Sequence, residues 1–156
     1  MVASLKTTSK ELINLYESDY SLWVLKTVKQ LEDRDFQSLD LENLIEEVGD
    51  LSRRDQKKLK NLLRRLFEHI LKLKYWESEI QRNEDHWRGE IFNFRKQIQD
   101  ELDDSPSLRV YLQQILNKCY QDARKSTSIM TRLPLDIFPE DAIASLEQIL
   151  DEDWFG

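Results

Sequence analysis

Glycine and proline are scarce in this sequence, with three of each among 156 residues. Folds built from strands and tight turns need many such punctuators, so their scarcity favours long helices. It also excludes the phosphate-cradling loops, because neither G-x-G-x-x-G nor G-x-x-x-x-G-K-[ST] occurs. Cys119 is the only cysteine, so no disulfide can form within these residues, which fits a reducing compartment. One cysteine and two histidines, His69 and His86, cannot supply a zinc site of the all-cysteine or two-cysteine, two-histidine type. A di-iron bundle needs Glu-x-x-His on two helices, and the positions three before the histidines hold Leu66 and Asn83. A mixed set of His69, His86, Glu46 and Glu47 remains to be weighed, and structural roles are favoured for all four. No metal and no cofactor is expected. No run approaches the ~18 apolar residues of a membrane span, and MVASLKTTSKEL lacks the apolar core of a signal peptide. The expectation is a soluble, cytoplasmic protein.

Charge is plentiful and unevenly placed. The net charge of −7 lies entirely in residues 133–156, which hold seven acids and no base. Residues 53–74 carry nine bases against Asp55 and Glu68, and residues 32–50 carry eight acids against Arg34. The chain is therefore locally polarised although its sum is mild.

Apolar residues recur at helical spacing over most of the length. Thr8 and Glu11 form a capping-box pattern ahead of Leu12, Leu15 and Tyr16. Ser18 and Asp19 interrupt that run, and Tyr20, Trp23, Val24, Val28 and Leu31 follow, so one helix broken near Ser18 or two short helices are expected. Asp40 is a good N-cap for a line of Leu41, Leu44, Ile45 and Val48, which resumes in phase at Leu59, Leu62, Leu63, Leu66, Phe67, Ile70 and Leu73. Gly49 and Ser52 interrupt it, so a kink or break is expected near them. Asn83 or Asp85 should open a helix with Trp87, Ile91, Phe94, Ile98 and Leu102 on one face. Ser105 and Pro106 should open another with Leu108, Tyr111, Leu112, Ile115, Leu116, Cys119 and Ala123 inward. Pro134 and Pro139 make residues 133–139 an extended arm, and Ser145 with Gln148 is a second capping box. Ile137, Phe138, Ile143, Ile149, Trp154 and Phe155 should dock this arm. Its acids are expected to neutralise part of the basic face at 53–74. The predicted architecture is all-α. It is a single domain of four to five main helices in an antiparallel bundle, with a frayed terminus at 1–10, the bundle at 11–130 and a docked C-terminal arm at 131–156.

Several blocks carry a resemblance. They are residues 15–24 (LYESDYSLWV), 39–48 (LDLENLIEEV), 105–112 (SPSLRVYL), 120–124 (YQDAR), 133–141 (LPLDIFPED) and 146–155 (LEQILDEDWF), with His69, Tyr75, Trp76, Trp87 and Arg88 between them. In these blocks, taken in order, the chain resembles the domain of unknown function 29 family, small all-helical bacterial proteins abundant in cyanobacteria. The resemblance implies a helical fold and a bacterial cytoplasmic setting, and it carries over no catalytic or binding residue.

Two sets of residues are candidates for chemistry. Arg64 and His69 match the Arg-x4–6-His motif of metal-independent ribonucleases of HEPN type, which would make the chain an enzyme, in one version a toxin–antitoxin component. Eleven arginines and two histidines supply such a match readily by chance, and residues five apart point about 140° from one another on a helix. The favoured role of His69 is therefore a partly buried side chain bonded to a neighbouring helix. Lys57, Lys60 and Arg64 form a basic strip opposite Leu59, Leu62 and Leu66. Such a strip suits phosphates, although a pI near 5.0 disfavours nucleic acid against a solvated or internally paired face. Trp76 and Trp87 could line a binding surface, and core packing is the plainer role. With every catalytic signature weak, the expected function is a non-catalytic helical module that binds a protein partner or itself.

Overall fold

The computed structural model describes residues 9–156, with side chains from Glu11 onward. The capping box of Thr8 therefore lies outside the described residues. The described residues form six α-helices: α1 (Ser9–Ser18), α2 (Tyr20–Glu32), α3 (Leu41–Tyr75), α4 (Glu77–Asp104), α5 (Leu108–Thr131) and α6 (Leu146–Leu150). Short 3-10 turns lie at Phe36–Ser38 and Leu135–Ile137, and no strand occurs among the described residues. The expected all-α bundle is present. The chain forms two compact units, one ending at Arg53 and the other running from Arg54 to Gly156, so their boundary falls inside α3.

In the first unit, Asp19 separates α1 from α2 and caps α2 by accepting the Leu22 amide at 3.0 Å. Past its end at Glu32, α2 is closed by Arg34, whose φ of 57° lets the Asp35 amide reach back to the Gln30 carbonyl at 2.9 Å. Asp40, 2% exposed, caps α3 through the Asn43 amide at 3.4 Å. The same carboxylate accepts the Trp23 indole N–H at 3.1 Å and the Asn43 amide group at 2.7 Å. It thus ties the first turn of α2 to the start of α3. Tyr16 and Tyr20 both donate to Glu47, at 2.7 Å each, and both rings pack on Trp23. Donation to Glu47 pushes the Tyr16 phenol up to about 12.

The rest of this unit departs from the sequence expectation. Trp23, Thr27 and Gln30 are the buried residues of α2, whereas Leu22, Leu25, Val28 and Leu31 are exposed. On α3, Leu41, Ile45, Val48 and Leu51 are exposed too. The inward orientation expected for Leu41, Ile45, Val48, Val28 and Leu31 is therefore corrected. Helical spacing shows that a face is apolar, but not that the same chain covers it.

α3 runs unbroken through Gly49 and Ser52, which corrects the expected kink. A single glycine costs a helix only about 1 kcal/mol relative to alanine, and the Arg53 side chain spans the spot. Its guanidinium reaches Glu46 at 3.0 Å, and its Nε donates to Asp50 at 2.7 Å.

In the second unit α3 and α4 run antiparallel. Lys58 pairs with Glu101, His69 packs on Phe94, and Trp76 stacks on Trp87, so partners descend α4 as α3 ascends. α4 begins at Glu77, earlier than the expected Asn83 or Asp85. Glu77 and Glu79 in its first turn suit the positive end of the helix dipole. The core gathers Leu59, Leu63, Leu66, Phe67 and Ile70 from α3 with Ile91, Ile98, Leu112, Cys119 and Tyr120.

The C-terminal arm docks on this core, with Phe138 and Ile149 fully buried and Leu146 2% exposed. Ile137 is exposed, against expectation, because the 3-10 turn at Leu135–Ile137 seats only Phe138 inward. Ser145 and Gln148 form the expected capping box of α6. The arm is held by cations on its carbonyl groups. Arg95, 3% exposed, donates to Ile149 at 2.8 Å, Glu152 at 3.4 Å and Trp154, and Arg124 donates to Phe138 at 3.0 Å.

Candidate functional site

The residues singled out from the sequence sit mostly on α3. Arg64 donates to Glu68 at 3.1 Å, one turn along its own helix. His69 is half-buried against Phe94, and its Nδ1 lies 2.9 Å from the Arg65 carbonyl. Its partner is thus its own helix and not a neighbouring one. Burial, then the nearby Lys72 charge, lowers its pKa to about 4. The ring is neutral at pH 7 and, with Arg64 engaged elsewhere, the two side chains are not brought together.

The basic strip is real but open. Arg54, Lys57, Lys58, Asn61, Leu62 and Arg65, all from α3, border a shallow groove of about 410 Å³. Lys60 is half-buried beside it and its carbonyl accepts the Cys119 thiol at 3.6 Å. Burial pushes that thiol up to about 11. The C-terminal arm reaches the far end of this stretch, where a Cβ on Gly156 would lie 3.1 Å from the Lys74 side chain. Ion pairs of this stretch include Arg53 with Glu46 and Asp50, Lys58 with Glu101, and Arg64 with Glu68. The arm presents backbone carbonyls to Arg95 and Arg124, and burial of the Arg95 guanidinium outweighs the pull of Asp151 and Glu152.

Trp76 and Trp87 stack with centroids 5.7 Å apart, Lys72 lies 5.3 Å over Trp87, and Trp87 is 5% exposed. They form the packed corner between α3 and α4 rather than an open platform. Among the described residues no group of three or more His, Cys, Asp or Glu is placed to hold a metal ion. No described helix is long and apolar enough to cross a membrane.

The surface that sequence reasoning missed is the apolar one in the first unit. Leu25 is 66% exposed, Ile45 63% and Val48 59%. A signal for α2 was present, since Trp23, Thr27 and Gln30 recur at the i, i+4, i+7 spacing of a single face, which places Leu25 and Val28 on the opposite side.

Residues 15–155 match the family described as Domain of unknown function DUF29. The chain belongs to the DUF29 family. No curated protein and no solved structure matches it. The DUF29 match covers residues of both compact units.

Proposed function

We propose that this chain is a non-catalytic helical module of a bacterial cytoplasm, and that it binds another protein through the apolar faces of α2 and the first half of α3. The observation that carries the reading is the exposure of Leu41, Ile45, Val48 and Leu51 along one side of α3. Apolar residues scattered singly over a surface are ordinary, but these four follow i, i+4, i+7, i+10 spacing and form a stripe. These four are 58–63% exposed, so covering the rest of them supplies about 4–7 kcal/mol at 1.5–3 kcal/mol per full burial, within the range of the cost of association. The state of Arg64 and His69 supports the non-catalytic side of the reading.

The test is an Ile45→Glu, Val48→Glu double variant of the full chain. An exposed stripe tolerates it, so the helical spectrum is kept and the melting temperature moves by about 2 °C at most. Proteins that co-purify with the wild-type chain from its native host are lost. An unchanged set of co-purifying proteins, or unfolding of the variant, sinks the proposal.

A further inference from the structure

The unit that carries the α3 stripe is acidic in sum. Between Ser9 and Arg53 the sequence has eleven acids and five bases. Two of those bases are already engaged by acids of the same unit. Lys29 pairs with Asp33 at 2.8 Å, and Arg53 is held by Glu46 and Asp50. Asp40 is buried under Trp23 and Asn43. Glu32 and Glu42 stay exposed, the first at the end of α2 and the second beside Leu41. The stripe therefore combines bare leucine-class side chains with a surplus of negative charge.

We infer that the occupant of this stripe is a cationic amphipathic helix of a different protein. The inference rests on the interaction reading above and narrows it to one partner chemistry. A helix laid along another helix reads it through anchors at i, i+3 or i+4, and i+7. Leu41, Ile45, Val48 and Leu51 provide that ladder over about three turns, or about 15 Å. Lysine or arginine flanking the partner's anchors meets the acidic surplus, and like charge there is rejected.

A second copy of this chain is a poor occupant on two grounds. Its own stripe carries the same acidic surround. Its cationic stretch, which includes Lys57, Lys58 and Arg65, offers no bare leucine, because Leu59, Leu62, Leu63 and Leu66 are buried in the core of the second unit. A bilayer surface is a poor occupant as well, since amphipathic helices that lie on membranes flank their apolar face with lysine and arginine.

The experiment titrates the full chain with two synthetic peptides of about eighteen residues at amphipathic spacing, one of leucine and lysine, the other of leucine and glutamate. The leucine–lysine peptide should bind at least about tenfold more tightly, and its affinity should fall as salt is raised. An Ile45→Ser, Val48→Ser variant, which leaves the charge unchanged, should lose about tenfold in affinity for that peptide. Glu42→Gln should weaken binding without abolishing it.

Equal binding of the two peptides overturns the inference, as does full binding by the serine variant, which would put the cation on the acidic arm at 133–156 instead. Sedimentation as a salt-insensitive dimer that buries the stripe, or recruitment to vesicles of phosphatidylcholine or phosphatidylglycerol, also overturns it. If the glutamate double variant loses its native partners while the peptides show no preference, only the partner's charge is wrong. If neither experiment responds to the stripe, both readings fail together.

Discussion

His69 is held neutral by its surroundings. Burial against Phe94 opposes a charge there, Lys72 adds to the opposition, and the ring titrates at about 4 instead of 6.5. Between those values the unfolded chain binds a proton that the folded chain does not, so stability is complete above pH 6.5 and is withdrawn as pH falls towards 4. His69→Gln keeps a donor for the Arg65 carbonyl and removes the titration. In denaturation series across that window, the wild type should lose on the order of 1 kcal/mol more than the variant, a value discounted for the ring's partial exposure. Equal slopes would show that His69 contributes nothing to the acid limb. The position of His69 on the margin of an apolar face was legible from helical spacing. Its bond to the Arg65 carbonyl was not, because that choice depends on a rotamer and on where Phe94 arrives from the next helix.

At the level of elements, start signals were legible wherever a side chain makes the cap. Asp19, Asp40 and Ser145 each accept backbone amides as their types and positions implied. The start of α4 was hidden because Trp76 caps it without a side-chain bond, and the reversal there is fixed by indole stacking instead. The continuity of α3 was hidden for a related reason, since the Arg53–Glu46 bond that spans Gly49 joins residues seven apart, too far for a propensity argument. α4 offers the cleaner test of glycine cost. Gly89 lies inside it, exposed, and a Cβ there would meet nothing within 4 Å. Gly89→Ala should raise stability by about 0.5–1 kcal/mol in chemical denaturation. A destabilised variant would mean that this surface is covered in solution.

For the molecule as a whole, the pattern of apolar residues gave the helical class and most of the second unit's core, including Leu66, Ile91, Ile98 and Leu112. It misjudged the first unit, because periodicity cannot distinguish a face closed by the same chain from a face left for another. The C-terminal arm was legible as apolar and docked, but its attachment was not. Acid content suggested pairing with bases, whereas Arg95 reads main-chain oxygens that no composition reveals. Arg95→Ala strands three acceptors around a buried site, and each abandoned group costs about 1–3 kcal/mol. We expect a loss of about 3 kcal/mol in total. Hydrogen exchange should quicken first in α6 and residues 151–155, ahead of α4 and α5. Uniform quickening across the unit would instead make Arg95 part of a single cooperative fold.

Cys119 gives the chain a built-in clock. It is the sole thiol, it is fully enclosed between the middle of α5 and the Lys60 carbonyl, and its proton is held too firmly for the closed state to be nucleophilic at neutral pH. A disulfide-exchange reagent can therefore react only in the moments when this part of the helix packing parts. The rate of colour development counts those openings in the unaltered protein, and a partner seated on Leu41, Ile45, Val48 and Leu51 would slow the count only if it also steadies the second half of α3.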